Sequence, residues 1–391
     1  MTSWPIFEQD EIDAVVNVLK SGKVNYWTGS EVKNFEQEFA DYLGVPYVIA
    51  LANGTLALEL ALKVLNIGPG DEVIVPPRTF MASASCVIDQ GATPIFADID
   101  PESGGLCVKS IEQKISSRTK AIIPVHLAGW PCEMDEIMDL ARKYNLKVIE
   151  DCAQSHGASY KNIKAGAWGD MAAFSFCQDK IMTTGGEGGL LVLKDKDLWE
   201  KAWAYKDHGK DFNTVFNKSH PAGFRWLHET FGSNWRLTEM QAAIGRVQLR
   251  KLDEWVARRN YFANLLDQFF KNIPGVRVPK IPEFIQHARY KYYVYLDQNF
   301  LNRDQLMAEI NKAGVPCFTG SCSEIYLEQC FIKNNLGPKE RLPMAKKLGE
   351  ESICLLIHPS QTDQEFEEII NKLAEVFVEE NQRIPAEQIE A

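Results

Sequence analysis

Short apolar runs alternate with helical patterns between about residues 47 and 193. Four of the runs begin near Glu72, Thr93, Lys120 and Lys147, roughly one strand–helix–strand unit apart. Between the last two, the segment EMDEIMDLARKYN carries apolar residues at helical spacing. Near-continuous apolar strands separated by helices are typical of a mostly parallel sheet that is covered on both faces. The pattern therefore predicts the α/β class, with a mostly parallel central sheet flanked by helices.

The pattern changes after about Leu237. A long helical stretch follows, with no glycine or proline after Gly245, and it can carry the chain from the first sheet towards a second unit. The remaining segments, among them YKYYVYLD and DQEFEEIINKLAEVF, favour a small α+β unit. We therefore predict a large domain over residues 1–245 and a smaller C-terminal domain over residues 246–391.

Composition narrows the class of protein. The chain has 391 residues, a net charge of −11 and no basic run, so we expect no nucleic-acid partner. It has no run of about 18 apolar residues, and its start lacks the basic end and apolar core of a signal peptide, so we expect a cytoplasmic protein that does not span a membrane. The nine cysteines show no CxxC pair and no zinc-ligand spacing, which favours reduced thiols and no metal site.

Lys180 is the first candidate for chemistry. A predicted strand ends at Ser175, Lys180 follows it in a loop, and the glycine-rich segment GGEGG comes next. Parallel sheets bind ligands where their strands end, and glycines let the backbone approach a flat cofactor closely. Burial lowers the pKa of a lysine and so favours the free amine that condenses with an aldehyde. Taken alone, the segment fits a surface lysine before a glycine-rich hairpin equally well.

Two further turns carry polar groups that complement this lysine. Asp151 and Gln154 lie at the end of a strand in VIEDCAQSHGA, and a carboxylate there could keep the pyridine ring of pyridoxal phosphate (PLP) protonated. Gly54 and Thr55 precede an apolar helix whose N-terminal amides suit a phosphate. Ordinary helix caps explain each turn alone. A lysine, a carboxylate and a phosphate cradle that all lie at strand ends of one sheet together indicate PLP.

Two motifs carry a resemblance to a known family. One is SFxxxK followed by EGG, and the other is GSNWRLTEMQAA, which is similar to GxNxRxTxxQAA. The chain resembles the DegT/DnrJ/EryC1/StrS family of PLP-dependent sugar aminotransferases, on the fold-type I scaffold, over most of its length. The resemblance implies that Lys180 forms the Schiff base with PLP and moves protons. It also implies that Asp151 pairs with the pyridine nitrogen and that Gln154 contacts the 3′-oxygen.

The resemblance extends to the rest of the cofactor site. It implies that Phe80 stacks on the ring, with plain core packing as the alternative, and that Gly54, Thr55 and Ser175 hold the phosphate. It further implies that Asn234 reaches the phosphate of a neighbouring subunit. The family pattern thus predicts a homodimer with shared active sites.

Candidate substrate residues come from three segments. Trp27 and Thr28 match a family segment near the sugar-nucleotide site, although Trp27 could instead cover the core. His208 matches a position near the substrate entrance. Arg225 and His228 are candidates for contacts with the sugar or its diphosphate, and an ordinary surface loop is the alternative.

The predicted activity is the transfer of an amino group from an amino acid, by analogy L-glutamate, to a keto-sugar nucleotide. The product would be an amino-deoxy sugar nucleotide for surface polysaccharide or related biosynthesis. A PLP-dependent sugar dehydratase is one alternative, but that branch has a histidine in place of Lys180. A non-catalytic PLP-binding regulator is another, and it would carry a DNA-binding module. An NAD-dependent sugar oxidoreductase would need GxGxxG after its first strand, which LANGTLALE does not supply.

Overall fold

The computed structural model of the chain describes residues 3–219, 223 and 225–383. The helices are α1 (Gln9–Ser21), α2 (Glu31–Leu43), α3 (Gly54–Val64), α4 (Ala82–Asp89), α5 (Val108–Lys114), α6 (Met134–Tyr144), α7 (Lys196–Lys206), α8 (Phe212–Phe216), α9 (Glu239–Phe270), α10 (Arg303–Lys312), α11 (Gln329–Lys333), α12 (Pro343–Glu351) and α13 (Asp363–Arg383). The strands are β1 (Tyr47–Leu51), β2 (Glu72–Val75), β3 (Thr93–Phe96), β4 (Thr119–Ile122), β5 (Lys147–Asp151), β6 (Ser159–Tyr160), β7 (Ile163–Lys164), β8 (Met171–Ser175), β9 (Gly189–Leu193), β10 (Val276–Arg277), β11 (Ile285–Gln286), β12 (Tyr292–Leu296), β13 (Cys317–Phe318) and β14 (Ser352–Leu355).

The largest sheet has seven strands in the order β1-β9-β8-β5-β4-β2-β3. The pairs from β8 to β3 are parallel, and β9 runs antiparallel to both of its neighbours. Every residue of β2 and β9 is buried, as expected for strands covered on both faces. The predicted α/β class, with its mostly parallel sheet flanked by helices, is confirmed.

Helix α3 is placed by its first residues. The side chain of Asn53 caps it by accepting a hydrogen bond of 2.9 Å from the backbone amide of Leu56. A Cβ atom at Gly54 would lie 2.6 Å from Cβ of Ser175, at the end of β8. Only glycine therefore lets the start of α3 pass this close to the end of that strand.

A second sheet, in the order β10-β12-β14-β13, is antiparallel and belongs to the C-terminal part of the chain. Its core includes Phe262 and Phe270 from α9 and Phe366 from α13, with the rings of Phe262 and Phe366 stacked at 4.1 Å. The predicted boundary between residues 245 and 246 falls within the first two turns of α9. The division into residues 1–245 and 246–391 stays a prediction.

The C-terminal part also packs against the large sheet. Tyr326 and Phe331 belong to the same core cluster as Phe96 of β3, with ring centroids 5.4 and 5.5 Å from that of Phe96. A small sheet, β11-β6-β7, pairs Ile285 with Tyr160. Within the described residues, no helix is both long and apolar enough to cross a bilayer.

Candidate active site

A cavity of about 830 Å³ lies where β5 and β8 end and α3 begins. The sequence-predicted residues that line it are Gly54, Thr55, Phe80, Asp151, Gln154, Ser175 and Lys180. They come from separate strand ends and turns. The sheet brings them together because the carboxyl ends of its parallel strands open on one edge.

Asp151 is the buried carboxylate of the cavity. Its Oδ2 atom accepts a hydrogen bond of 2.7 Å from the hydroxyl of Ser83, and its Oδ1 atom accepts one of 3.1 Å from the amide of Ala153. Burial raises the pKa of Asp151, while the Ser83 and Ala153 hydrogen bonds and the nearby charge of Lys180 act in the opposite direction. A cationic ring nitrogen beside this carboxylate would offset its cost of burial.

Gln154 is held in one orientation by the backbone. Its Oε1 atom accepts a hydrogen bond of 2.8 Å from the amide of Ala128, which lies in the left-handed region with a φ of 56°. Because the carbonyl end of the side chain is occupied, the NH2 end remains to donate. An anionic oxygen in the cavity would suit that donor.

The side-chain amine of Lys180 has two polar neighbours that the sequence analysis missed. Nζ lies 3.4 Å from the hydroxyl of Tyr290 and 3.4 Å from Oδ1 of Asp179. The Tyr290 hydroxyl in turn donates to Asp179. Burial raises the pKa of Asp179, but the charge of Lys180 and the Tyr290 hydrogen bond outweigh it and lower that pKa overall. The backbone carbonyl of Lys180 accepts a hydrogen bond of 2.8 Å from the indole of Trp4.

The start of α3 lines the cavity at the predicted phosphate cradle, whose role stays a prediction. The amides of Gly54 and Thr55 are in its first turn, where backbone N–H groups have no partner within the helix. The hydroxyl of Ser175 lies on the adjoining end of β8. Backbone amides at a helix N-terminus together with a hydroxyl are suitable donors for a phosphate.

The donor set of this cavity fits PLP. Lys180 offers an amine for the aldehyde, Asp151 a carboxylate for the pyridine nitrogen, and Gln154 an NH2 group for the 3′-oxygen. The first turn of α3 offers amides for the phosphate. When bound, PLP would supply a carbonyl that reacts with amines and a ring that withdraws electrons.

The remaining predicted residues do not line this cavity in the single chain. Trp27 packs against Trp203 and Phe216, with ring centroids 6.1 and 6.3 Å away, and so covers the core. The exposed hydroxyl of Thr28 donates to the carbonyl of Asn25 at 3.1 Å.

The segment that carries the other four candidates lies on the surface. His208, Arg225, His228 and Asn234 are all exposed. The backbone of His208 donates to Ser233 at 2.9 Å, and Asn234 forms a β-bridge with Asp207. Their roles towards substrate or a second subunit stay predictions, and part of the subgroup-specific loop (residues 220–222 and 224) lies outside the described residues.

Tyr290, Asp179 and Ser83 are the site residues that sequence reasoning missed. Tyr290 lies in HARYKYYVYLD among several tyrosines, and no spacing distinguishes it from them. Asp179 directly precedes Lys180, and this adjacency was the one available signal. Ser83 lies in the first turn of α4, and its bond to Asp151 spans 68 residues of chain.

Comparisons with known proteins agree with this geometry. The sequence model of the DegT/DnrJ/EryC1/StrS aminotransferase family matches residues 5–374. A GDP-perosamine synthase of Caulobacter vibrioides is 36% identical over 383 residues, covering 96% of this chain and 97% of the relative.

Two solved structures share both fold and sequence with the chain. The aminotransferase from Psychrobacter cryohalolentis is 50% identical, with a TM-score of 0.95 over 97% of this chain and 99% of that one. DesV of Streptomyces venezuelae, solved with a ketimine intermediate, is 32% identical, with a TM-score of 0.85 over 94% of each chain. The predicted family, enzyme class and cofactor are thereby confirmed: the chain belongs to the DegT/DnrJ/EryC1/StrS family of aminotransferases, which depend on PLP.

Proposed function

We propose that this aminotransferase moves an amino group from an amino acid to a nucleotide-linked keto sugar. The observation that carries the proposal is the meeting of Lys180, Asp151 and the first turn of α3 around one cavity. The relative named as a GDP-perosamine synthase, which matches nearly the whole chain, supports a sugar nucleotide as the acceptor. L-Glutamate is the proposed donor.

Lys180 is the proposed base and acid. The Tyr290 hydroxyl donates a hydrogen bond to Asp179, so its oxygen can accept a hydrogen bond from Nζ of Lys180. The amine is thereby held at a defined position, from which Nζ would take a proton from the α-carbon of the donor and deliver it to the C4′ atom of the cofactor. A lysine without these contacts would be more flexible, and its amine would spend less time within reach of the reacting carbon.

Asp151 and Gln154 would orient and polarise the cofactor. Asp151 would pair its carboxylate with the protonated pyridine nitrogen, and charge stabilisation of this kind is a large term in catalysis. Gln154, fixed by Ala128, would direct its NH2 group at the 3′-oxygen. Each of the two side chains is oriented by a neighbouring hydrogen bond, from Ser83 and from Ala128 respectively.

A homodimer with shared active sites is also proposed. Phe231 is fully exposed and Trp226 is 84% exposed, on the segment that carries Asn234. Phe80 lines the cavity but is 70% exposed. Large aromatic side chains that are left exposed in a single chain are typical of an association surface. We further propose that the enzyme acts in the cytoplasm and that its product serves surface polysaccharide or related biosynthesis.

The proposal is tested in two steps with purified protein. After addition of PLP, the protein should show a visible absorption band, which Lys180→Ala abolishes and the surface control Lys194→Ala retains. The loaded protein is then incubated with L-glutamate and keto sugars linked to GDP, dTDP or UDP. Mass spectrometry should detect an amino-sugar nucleotide and 2-oxoglutarate in equal amounts. Wild-type protein that stays colourless, or that aminates none of these sugars, would contradict the proposal.

A further inference from the structure

A second cavity, of about 250 Å³, adjoins the first. The two share three lining side chains, which are Asp179, Tyr290 and Lys291. Trp4 also connects them, because its ring lines the second cavity and its indole N–H bonds to the backbone carbonyl of Lys180. Ligand groups in the second cavity would therefore lie close to the reactive amine.

Arg259 of α9 is the unusual residue of this second cavity. It is 1% exposed, and its Nη1 atom donates to the carbonyls of Ile357 and Arg289. Its Nε and Nη2 atoms are buried and have no hydrogen-bond partner among the described residues. Burial lowers the pKa of Arg259 to about 9, which leaves it protonated at neutral pH. Burying a charged group with unpaired N–H donors costs free energy unless a ligand pairs with the charge and accepts those hydrogen bonds.

The aromatic ring of Trp4 does not provide this hydrogen-bond partner. The guanidinium lies 5.1 Å from the ring centroid of Trp4, a favourable contact that satisfies none of the N–H groups. Asp179, which also lines the cavity, is already paired with Lys180 and Tyr290. The positive charge of Arg259 is thus left without a carboxylate in the described part of the chain.

We infer that Arg259 binds a carboxylate group of the amino-acid donor in this second cavity. The inference rests on the proposed function, since it assigns the donor's place in the same active site. Nε and Nη2 form a planar pair of donors, which matches the two oxygens of a carboxylate. Lys291 adds a second cation where the two cavities meet.

Size and lining favour a small acid over the sugar nucleotide. A volume of about 250 Å³ is below the range of roughly 300–1,000 Å³ that holds larger ligands. The other walls are largely apolar and are provided by Leu266, Val315, Leu355, Ile357, Phe366 and Ile369. Such walls suit the carbon chain of an amino acid better than a nucleoside diphosphate.

Glutarate, a dicarboxylate with no amino group to transfer, is the probe for this site. Calorimetry on the PLP-loaded protein should detect glutarate binding, and Arg259→Leu should raise its Kd about 10-fold or more. Arg258→Leu is the matched control. Arg258 is the adjacent arginine on α9, is paired with Asp363 at 2.7 Å, and does not line either cavity. The Kd of the Arg258→Leu variant for glutarate should stay at the wild-type value.

Arg259→Lys separates ligand binding from a structural role. It keeps the charge but not the planar donor pair, so it should weaken glutarate binding even if Arg259→Leu does not fold. In turnover, KM for the donor should rise while KM for the keto sugar stays unchanged. Wild-type protein that binds no glutarate, or Arg259 variants that fold and bind it as tightly as wild type, would overturn the inference. Glutarate binding that requires Arg259, in a protein that aminates no sugar, would instead refute only the proposed acceptor.

Discussion

The hydroxyl of Ser83 donates a hydrogen bond of 2.7 Å to Oδ2 of Asp151. The same hydroxyl oxygen lies 2.8 Å from Oγ1 of Thr79. Because the single hydroxyl proton of Ser83 is used in the hydrogen bond to the carboxylate, Thr79 must be the donor in the second bond. The segment leading into α4 thereby holds the carboxylate at the end of β5 in a fixed orientation.

Replacing Ser83 with alanine should raise the pKa of Asp151 further. Burial already raises this pKa, and the Ser83 hydrogen bond is the largest effect that opposes it. The carboxylate should then become protonated at a higher pH, and the acidic limit of PLP binding should move up by roughly one pH unit. A pH titration of PLP affinity checks this. Ser85→Ala, in the same helix, is the control, and an unchanged limit in Ser83→Ala would contradict the prediction.

Gly54→Ala should weaken both folding and PLP binding. The added Cβ would lie 2.6 Å from Cβ of Ser175, so α3 and β8 would have to separate at the predicted phosphate cradle. We expect a loss of about 1–3 kcal/mol in the free energy of unfolding, as for other overpacked sites. Thermal unfolding with and without PLP measures both effects. Gly68→Ala is the control, because the nearest atom to an added Cβ there is 3.5 Å away. It should change neither the stability nor the affinity for PLP. Equal behaviour of the two variants would argue against a phosphate site at the start of α3.

Gln154→Glu should lower PLP affinity by about 10-fold or more. The carboxylate can still accept from the amide of Ala128, but it replaces the NH2 donor with a negative oxygen facing the 3′-oxygen of PLP. Equilibrium dialysis measures the affinity, and Gln113→Glu, on the exposed side of α5, is a control of equal charge. Unaltered affinity in Gln154→Glu would show that the side chain does not face the cofactor.

His156 should make stability depend on pH. Burial lowers its pKa to about 3 in the folded chain, whereas an exposed histidine has a pKa near 6.5. Between these values the unfolded chain binds a proton and the folded chain does not. Stability should therefore fall as pH drops from about 6.5 towards 3, by up to about 1.4 kcal/mol per pH unit from this residue.

Urea unfolding between pH 7 and pH 5 tests this effect. His156→Phe should reduce the dependence of the unfolding free energy on pH, since Phe174 and Phe176 already surround the ring at 5.4 Å. Exposed His228, changed to asparagine, should leave the dependence unaltered. The same slope in wild type and His156→Phe would rule out His156 as its source.

Much of the cofactor site could be predicted because its residues follow local signals. Asp151 is the last residue of an apolar strand, and Gly54 and Lys180 each follow one within five residues. Four predicted strand starts agree with β2, β3, β4 and β5 to within one residue. Parallel strands then place those ends on one edge without any further information.

The rest of the site depends on contacts between distant segments. Tyr290 lies 110 residues after Lys180, and Arg259 reaches the carbonyl of Ile357 across 98 residues. Trp27, a candidate for stacking on the substrate, packs against Trp203 instead. Hydrophobic periodicity and turn residues describe relationships within one helix, strand or turn. They therefore carry no information on contacts between residues that are far apart in the sequence.

The sequence by itself determined the α/β class, the family and the residues at the strand ends, because hydrophobic period and glycine turns are properties of short segments. Only the tertiary structure decided which side chains hold Lys180 and Asp151 in position. It also decided that an arginine with unused donors lines the cavity that adjoins theirs. These relationships depend on how the second sheet and α9 pack against the first sheet, and packing geometry is set by the whole chain rather than by any one segment.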